Sequence, residues 1–182
     1  MNTRPPNADA PRATLFDHEV GHFYFGYWKN VSLIVWVAEA DEQALHRLAP
    51  MTERLVREYP GGHSNLSFVL DGVLPPRGKA KEVLASLFAG GAADLRCVGI
   101  VLEGVGFWAS ALRSPLTNAH MSSSSRLALR LSDSREELAS WLASRHQATT
   151  GTAVTPDELM AIMTSMRDQL VATMETVVPS RA

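Results

Sequence analysis

Cysteine is nearly absent from this chain: Cys97 stands alone among 182 residues. A single thiol closes no intrachain disulfide and builds no thiolate zinc site, which fits a reducing compartment. It lies within a mainly apolar strand segment, so Cys97 is expected as a small core residue and not as a nucleophile. An excess of charge of one sign is also lacking. Seventeen basic residues against nineteen acidic ones leave a formal charge of −2, which gives no global drive toward nucleic acid or an anionic membrane. No apolar run approaches the roughly 18 residues that a membrane-spanning helix requires, and residues 1–13 lack the apolar centre of a signal peptide. These absences predict a cytoplasmic chain with no membrane span and no nucleic-acid partner.

Marks of catalysis and of cofactor binding are equally sparse. His18 and His22 are four apart, a spacing that shares one face only on a helix, and that segment reads as strand. No G-x-S-x-G elbow is present, and no acid-base pair is marked out. Gly104-Val105-Gly106-Phe107-Trp108-Ala109 matches G-x-G-x-x-A in form. The motif sits late in the chain, Phe107 and Trp108 would crowd a dinucleotide, and no acidic residue follows where a ribose ligand is expected. A tight turn with aromatic packing accounts for it better. The chain is therefore expected to be non-enzymatic, with no cofactor and no metal.

What is present is a good α/β pattern. Leu95–Leu102 is a short apolar run with β-branched residues, and beyond it Val105, Trp108, Leu112 and Leu116 fall on one helical stripe. A buried strand feeding a helix through a glycine turn follows, and the rest of the chain is arranged around it. Upstream, 14–18 and 22–28 read as two strands about a Val20-Gly21 turn, and Val31–Ala38 as a buried strand. Asp41 caps a helix whose stripe is Leu45, Leu48, Leu55, Val56 and Tyr59, with Pro50 expected to kink or restart it. Pro60-Gly61-Gly62 ends that helix, Leu66–Leu70 makes the next strand, and Pro75-Pro76 opens a helix closed by Gly90-Gly91.

After the central strand and helix, 118–125 is a polar loop whose serines, Ser122–Ser125, read as solvated. Arg126–Leu131 alternates as an edge strand, and Asp133 caps a helix carrying Leu138, Trp141 and Leu142. Strands separated by helices lie parallel in one sheet. The expected fold is α/β: a single domain over 14–146 with a mixed, mostly parallel sheet of about five or six strands flanked by helices. A disordered N-terminal tail is expected over 1–13. A linker over 147–155 leads to an appended amphipathic helix, 156–178, started by Thr155-Pro156-Asp157-Glu158. Its stripe of Leu159, Ile162, Met163, Met166, Leu170, Met174 and Val177 must be buried, either on its own domain or, through Met163, Met166 and Leu170, against a second copy in a homodimer.

This pattern resembles the STAS domain, the fold of bacterial anti-sigma factor antagonists and of the cytoplasmic part of sulfate transporters, and in particular a group of SpoIIAA-like proteins. The similar features are the strand-helix order of 14–145, the strand ending at Asp71 before a proline-opened helix, the run Gly106–Ser114, and Glu136–Leu142. What the resemblance implies is a protein-interaction or signalling module. In the antagonists a phosphorylatable Ser or Thr starts the helix after the Asp-ended strand. Here Asp71-Gly72-Val73-Leu74-Pro75-Pro76-Arg77-Gly78 offers neither. The same stretch carries Arg77, Lys79 and Lys81 in the first turns of a helix, where positive charge opposes the macrodipole and an acidic partner or anion would relieve it. Asp71, Arg77, Lys79 and Lys81, extended by Arg113, form the expected partner surface. The alternative is a small-ligand binder, for lipid or nucleotide, with a pocket at Gly104, Gly106, Phe107 and Trp108.

Overall fold

The computed structural model describes residues 11, 14–19, 23–86, 94–103 and 127–177. Among these residues six strands form one sheet whose spatial order is the chain order: β1 (Thr14–Glu19), β2 (Phe23–Trp28), β3 (Val31–Trp36), β4 (His63–Val69), β5 (Leu95–Leu102) and β6 (Ala128–Ser132). β1, β2 and β3 pair antiparallel, and β3 to β6 run parallel, so the sheet is mixed and mostly parallel. The α/β class and the mixed sheet are as the hydrophobic pattern predicts. The expected turn at Val20-Gly21, the helix after Gly106 with Arg113, and Ser122–Ser125 lie outside the described residues.

Among the described residues, two helices cover each face. α1 (Glu42–Glu58) and α2 (Gly78–Ser86) follow β3 and β4, and as crossovers between successive parallel strands they fall on the same side of the sheet. Ala44, Leu45, Leu48 and Met51 of α1, with Ala80 of α2, pack on Phe23, Phe25, Ile34, Val98 and Ile100. On the other face lie α3 (Arg135–Thr150) and α4 (Pro156–Val177). Leu138 and Leu142 of α3 join Leu159, Ile162, Met163, Met166 and Leu170 of α4 against Tyr24, Val31, Leu33, Val35, Leu66 and Val101. Gly99 of β5 sets the height of α3, because a Cβ there would stand 3.2 Å from the Leu138 side chain.

Helix boundaries follow local chemistry, with some corrections to the expectations. Asp41 Oδ1 accepts from Ala44 N at 2.7 Å and caps α1, which runs unbroken through Pro50. The proline removes one N–H, while the buried face of Leu45, Leu48, Met51 and Leu55 holds the helix across it. α2 begins at Gly78, two residues after the proline pair, which lies in the approach to the helix. α3 is capped by Ser134, whose hydroxyl accepts from Glu137 N at 3.1 Å, one residue later than the expected Asp133. That helix continues to Thr150, so residues 151–155 alone connect it to α4, a shorter link than the expected 147–155. α4 opens on a reciprocal cap: Glu158 N donates to Thr155 Oγ1 at 3.1 Å, and Thr155 N donates to Glu158 Oε2 at 2.8 Å.

α4 is fastened to the β2–β3 turn as well. Lys29, in the left-handed region at φ 50°, stacks its ammonium 4.1 Å from the Trp28 ring centroid and pairs with Glu158 at 3.3 Å. Met163, Met166 and Leu170 are all at most 4% exposed in the chain's own core. Among the described residues of that stripe, Met163, Met166 and Leu170 are therefore covered within the chain itself, packed against the sheet and α3.

Candidate functional site

Central strands of a parallel sheet are covered on both faces and are usually continuous Val, Ile and Leu. β4 departs from this. Its odd positions His63, Asn65 and Ser67 are polar and point to the α1/α2 face, with Ser32 of β3 paired beside Asn65. All four are at most 9% exposed. Three consecutive polar residues, His63, Ser64 and Asn65, open the strand, so the apolar run that marks it in the sequence starts only at Leu66, three residues late.

Above that polar row the packing opens into a cavity of about 520 Å³, inside the range of about 300–1,000 Å³ usual for small-molecule sites. Its floor is β3 (Ser32, Ile34, Trp36), β4 (Asn65, Ser67, Val69) and β5 (Val98, Ile100). Leu45, Leu48, Ala49, Thr52 and Val56 of α1 make one wall, and Val73, Leu74, Pro76 and Leu84 the other. From His63 to Val69 the lining follows β4 for about 20 Å, at about 3.3 Å per residue. The space is thus long, mostly apolar in its walls, polar along one strip of floor, and bordered by the charged Glu53, Arg57 and Asp94.

The floor is ordered by its own hydrogen bonds. Ser67 Oγ donates to Asn65 Oδ1 at 2.7 Å, Asn65 Nδ2 donates to Ser32 Oγ at 3.1 Å, and Ser32 Oγ donates to the Ser64 carbonyl at 3.2 Å. Every hydroxyl proton in the row is committed. One Asn65 N–H and lone pairs on the serine oxygens remain.

His63 closes the row at the strand's N-terminal end. Burial, opposed by the Asp94 carboxylate and aided by the Arg96 guanidinium, lowers its pKa to about 4, so the ring is neutral at physiological pH. Its Nδ1 is buried without a hydrogen-bond partner, as is Nε of Arg96. Arg96 is the extra residue where the β4–β5 ladder slips, between the pairs His63–Leu95 and Ser64–Cys97. The Arg96 side chain crosses Gly62, whose φ is +102° and where a Cβ would lie 2.5 Å from Arg96 Nε.

A second polar group sits on the opposite face and was also missed. Asn30 Nδ2 donates to the Gly62 carbonyl at 2.9 Å, which turns its Oδ1 toward His146 Nε2, 2.9 Å away. Nε2 therefore carries the ring proton and Nδ1 accepts from Ser64 Oγ at 2.7 Å. With that proton committed, Ser64 Oγ accepts from the Cys97 thiol at 2.9 Å. The order Ser–His–Asn is that of a nucleophile relay, but all four residues are at most 2% exposed and none of them lines the cavity. Burial also raises the Cys97 thiol and lowers His146 to about 4, with Lys29 and His63 adding to the latter. The group is a pin between the β2–β3 turn, β4, β5 and α3. Sequence spacing could not reveal it, because its members are brought together only by the sheet register.

The residues expected to form a partner surface are placed as follows. Asp71, Arg77, Lys79 and Lys81 are exposed on the loop after β4 and the start of α2, outside the cavity lining. α2 has no acidic residue in its first turn, and Lys79 Nζ stands 4.0 Å from Glu42 Oε2 of α1. Among the described strands the sequential order contains no reversal point, the feature that opens a crevice at strand ends in doubly wound sheets. Gly104, Gly106, Phe107, Trp108 and Arg113 lie outside the described residues, and the cavity's described walls belong to other segments. Among the described residues no group of three or more His, Cys, Asp or Glu side chains could hold a metal ion, and no helix is long and apolar enough to cross a membrane. No family model and no curated protein matches the chain.

Proposed function

We propose that this chain is a non-enzymatic binding protein for a small, largely apolar molecule held between the sheet and helices α1 and α2. The observation that carries the reading is the cavity of about 520 Å³ above a polar row on β4, a strand whose central place in the sheet calls for Val, Ile or Leu. Polar side chains at such positions cost stability unless hydrogen-bonded, and here they bond to one another while keeping capacity for a guest. Cavity filling tests the reading. Ala49 lines the wall from α1, and Ala49→Trp should abolish binding of the neutral dye Nile red while the circular-dichroism spectrum is retained. Native mass spectrometry of the purified chain should also show a copurified small molecule. Nile red binding unchanged in a folded Ala49→Trp variant would sink the proposal.

The interaction-module reading implied by the resemblance to STAS proteins stands second. It is favoured by the exposed Arg77, Lys79 and Lys81 at a helix start that has no acidic residue in its first turn. A protein partner of acidic character and a cytoplasmic location belong to that reading.

A further inference from the structure

Resting on the ligand-binding reading, we propose that the cavity selects an uncharged ligand: an alcohol with an otherwise apolar body, its hydroxyl seated against Asn65 and Ser67. A hydroxyl both donates and accepts. The floor offers the matching pair, the uncommitted Asn65 N–H as donor and the Ser67 oxygen, whose own proton is given to Asn65, as acceptor.

Charge argues the same way. The charged residues in the described lining are Glu53, Arg57 and Asp94, two negative and one positive. Arg57 is paired with Glu53 at 3.9 Å, and Asp94 with Arg96 at 3.8 Å. No uncommitted cation among them faces the space, and Arg77, Lys79 and Lys81 lie outside it. A buried carboxylate or phosphate would enter without a counter-charge, at a cost no single hydrogen bond offsets. His63, 1% exposed and neutral, with Nδ1 unpartnered, extends the row with a further polar group that carries no charge.

The test is displacement of Nile red from the full chain by three probes of one length: decanol, its methyl ether and decanoate. Decanol should compete about tenfold better than the ether, the worth of one hydrogen bond, and decanoate should be the weakest of the three. Ser67→Ala, which removes the acceptor of the ligand's hydroxyl proton, should bind Nile red and lose the difference between decanol and ether; Asn65→Leu, which removes the donor that both probes use, should bind Nile red and weaken decanol and ether alike, and serves if Ser67→Ala does not fold. If Nile red does not bind at all, the ligand-binding reading fails and this proposal falls with it. If the dye binds but decanoate competes as well as decanol, or folded Ser67→Ala keeps the preference for decanol, or folded Asn65→Leu leaves decanol and ether competing as before, the selectivity alone is overturned.

Discussion

Two histidines held neutral in the interior should make this fold sensitive to mild acid. His63 and His146 ordinarily titrate near 6.5, and burial lowers both to about 4 in the fold. The unfolded chain therefore binds more protons than the folded one between those values. Each group's contribution is intact above about pH 6.5, declines as pH falls toward 4, and levels off below. At about 1.36 kcal/mol per pH unit per proton, acidification from about pH 7.5 to about pH 5 should remove about 2 kcal/mol per histidine, roughly 4 for the pair. That is a large part of a stability of about 5–15 kcal/mol. The window lies above the ordinary carboxylate range, so acidic residues contribute little to the slope. Urea unfolding followed by circular dichroism at several pH values measures it. His146→Gln keeps a neutral hydrogen-bonding side chain but cannot titrate; it should lower the midpoint at every pH while removing about half of the pH dependence. Midpoints that stay flat across the window, or a slope unchanged in the variant, would refute the neutral assignment.

Two further outcomes follow from burial and exposure. Replacing Met163 and Met166 with Glu places two carboxylates among Leu33, Leu138 and Leu142 and should abolish the cooperative thermal transition; a folded but smaller species in light scattering would return these residues to an intersubunit role. Replacing Arg77, Lys79 and Lys81 with Glu should change stability by less than about 1 kcal/mol while weakening an acidic partner recovered by pull-down and removing its salt dependence, and unaltered affinity would end the interaction-module reading.

The fold was legible wherever burial repeats with a simple period. The mostly apolar strand at Leu95–Leu102, the stripe of α1 and the Thr155-Pro156 start of α4 each carry a local signal that tertiary packing reinforces. The candidate site was not legible, for a physical reason. His63, Asn65 and Ser67 look like solvent-facing positions of an edge strand, and only the pairing of β4 between β3 and β5 turns them inward. The pin of Asn30, Ser64, Cys97 and His146 draws one residue from each of four segments. Its histidine sits in helix α3 with no spacing to mark it. Glycine turns and runs of surface lysine, by contrast, make local motifs that are visible in one dimension.

The fastening of α4 to the β2–β3 hairpin has a consequence for synthesis. Each strand in this sheet pairs with its neighbour in the chain, so the sheet can grow in the order in which it leaves the ribosome. The apolar side chains of Tyr24, Val31, Leu33 and Val35 are made early, yet the helix that shields them emerges after all six strands. Until Lys29 meets Glu158 and the methionines settle, that face of the nascent sheet stands bare to water. A chain stalled before α4 would be the species that a chaperone must hold and that aggregates first.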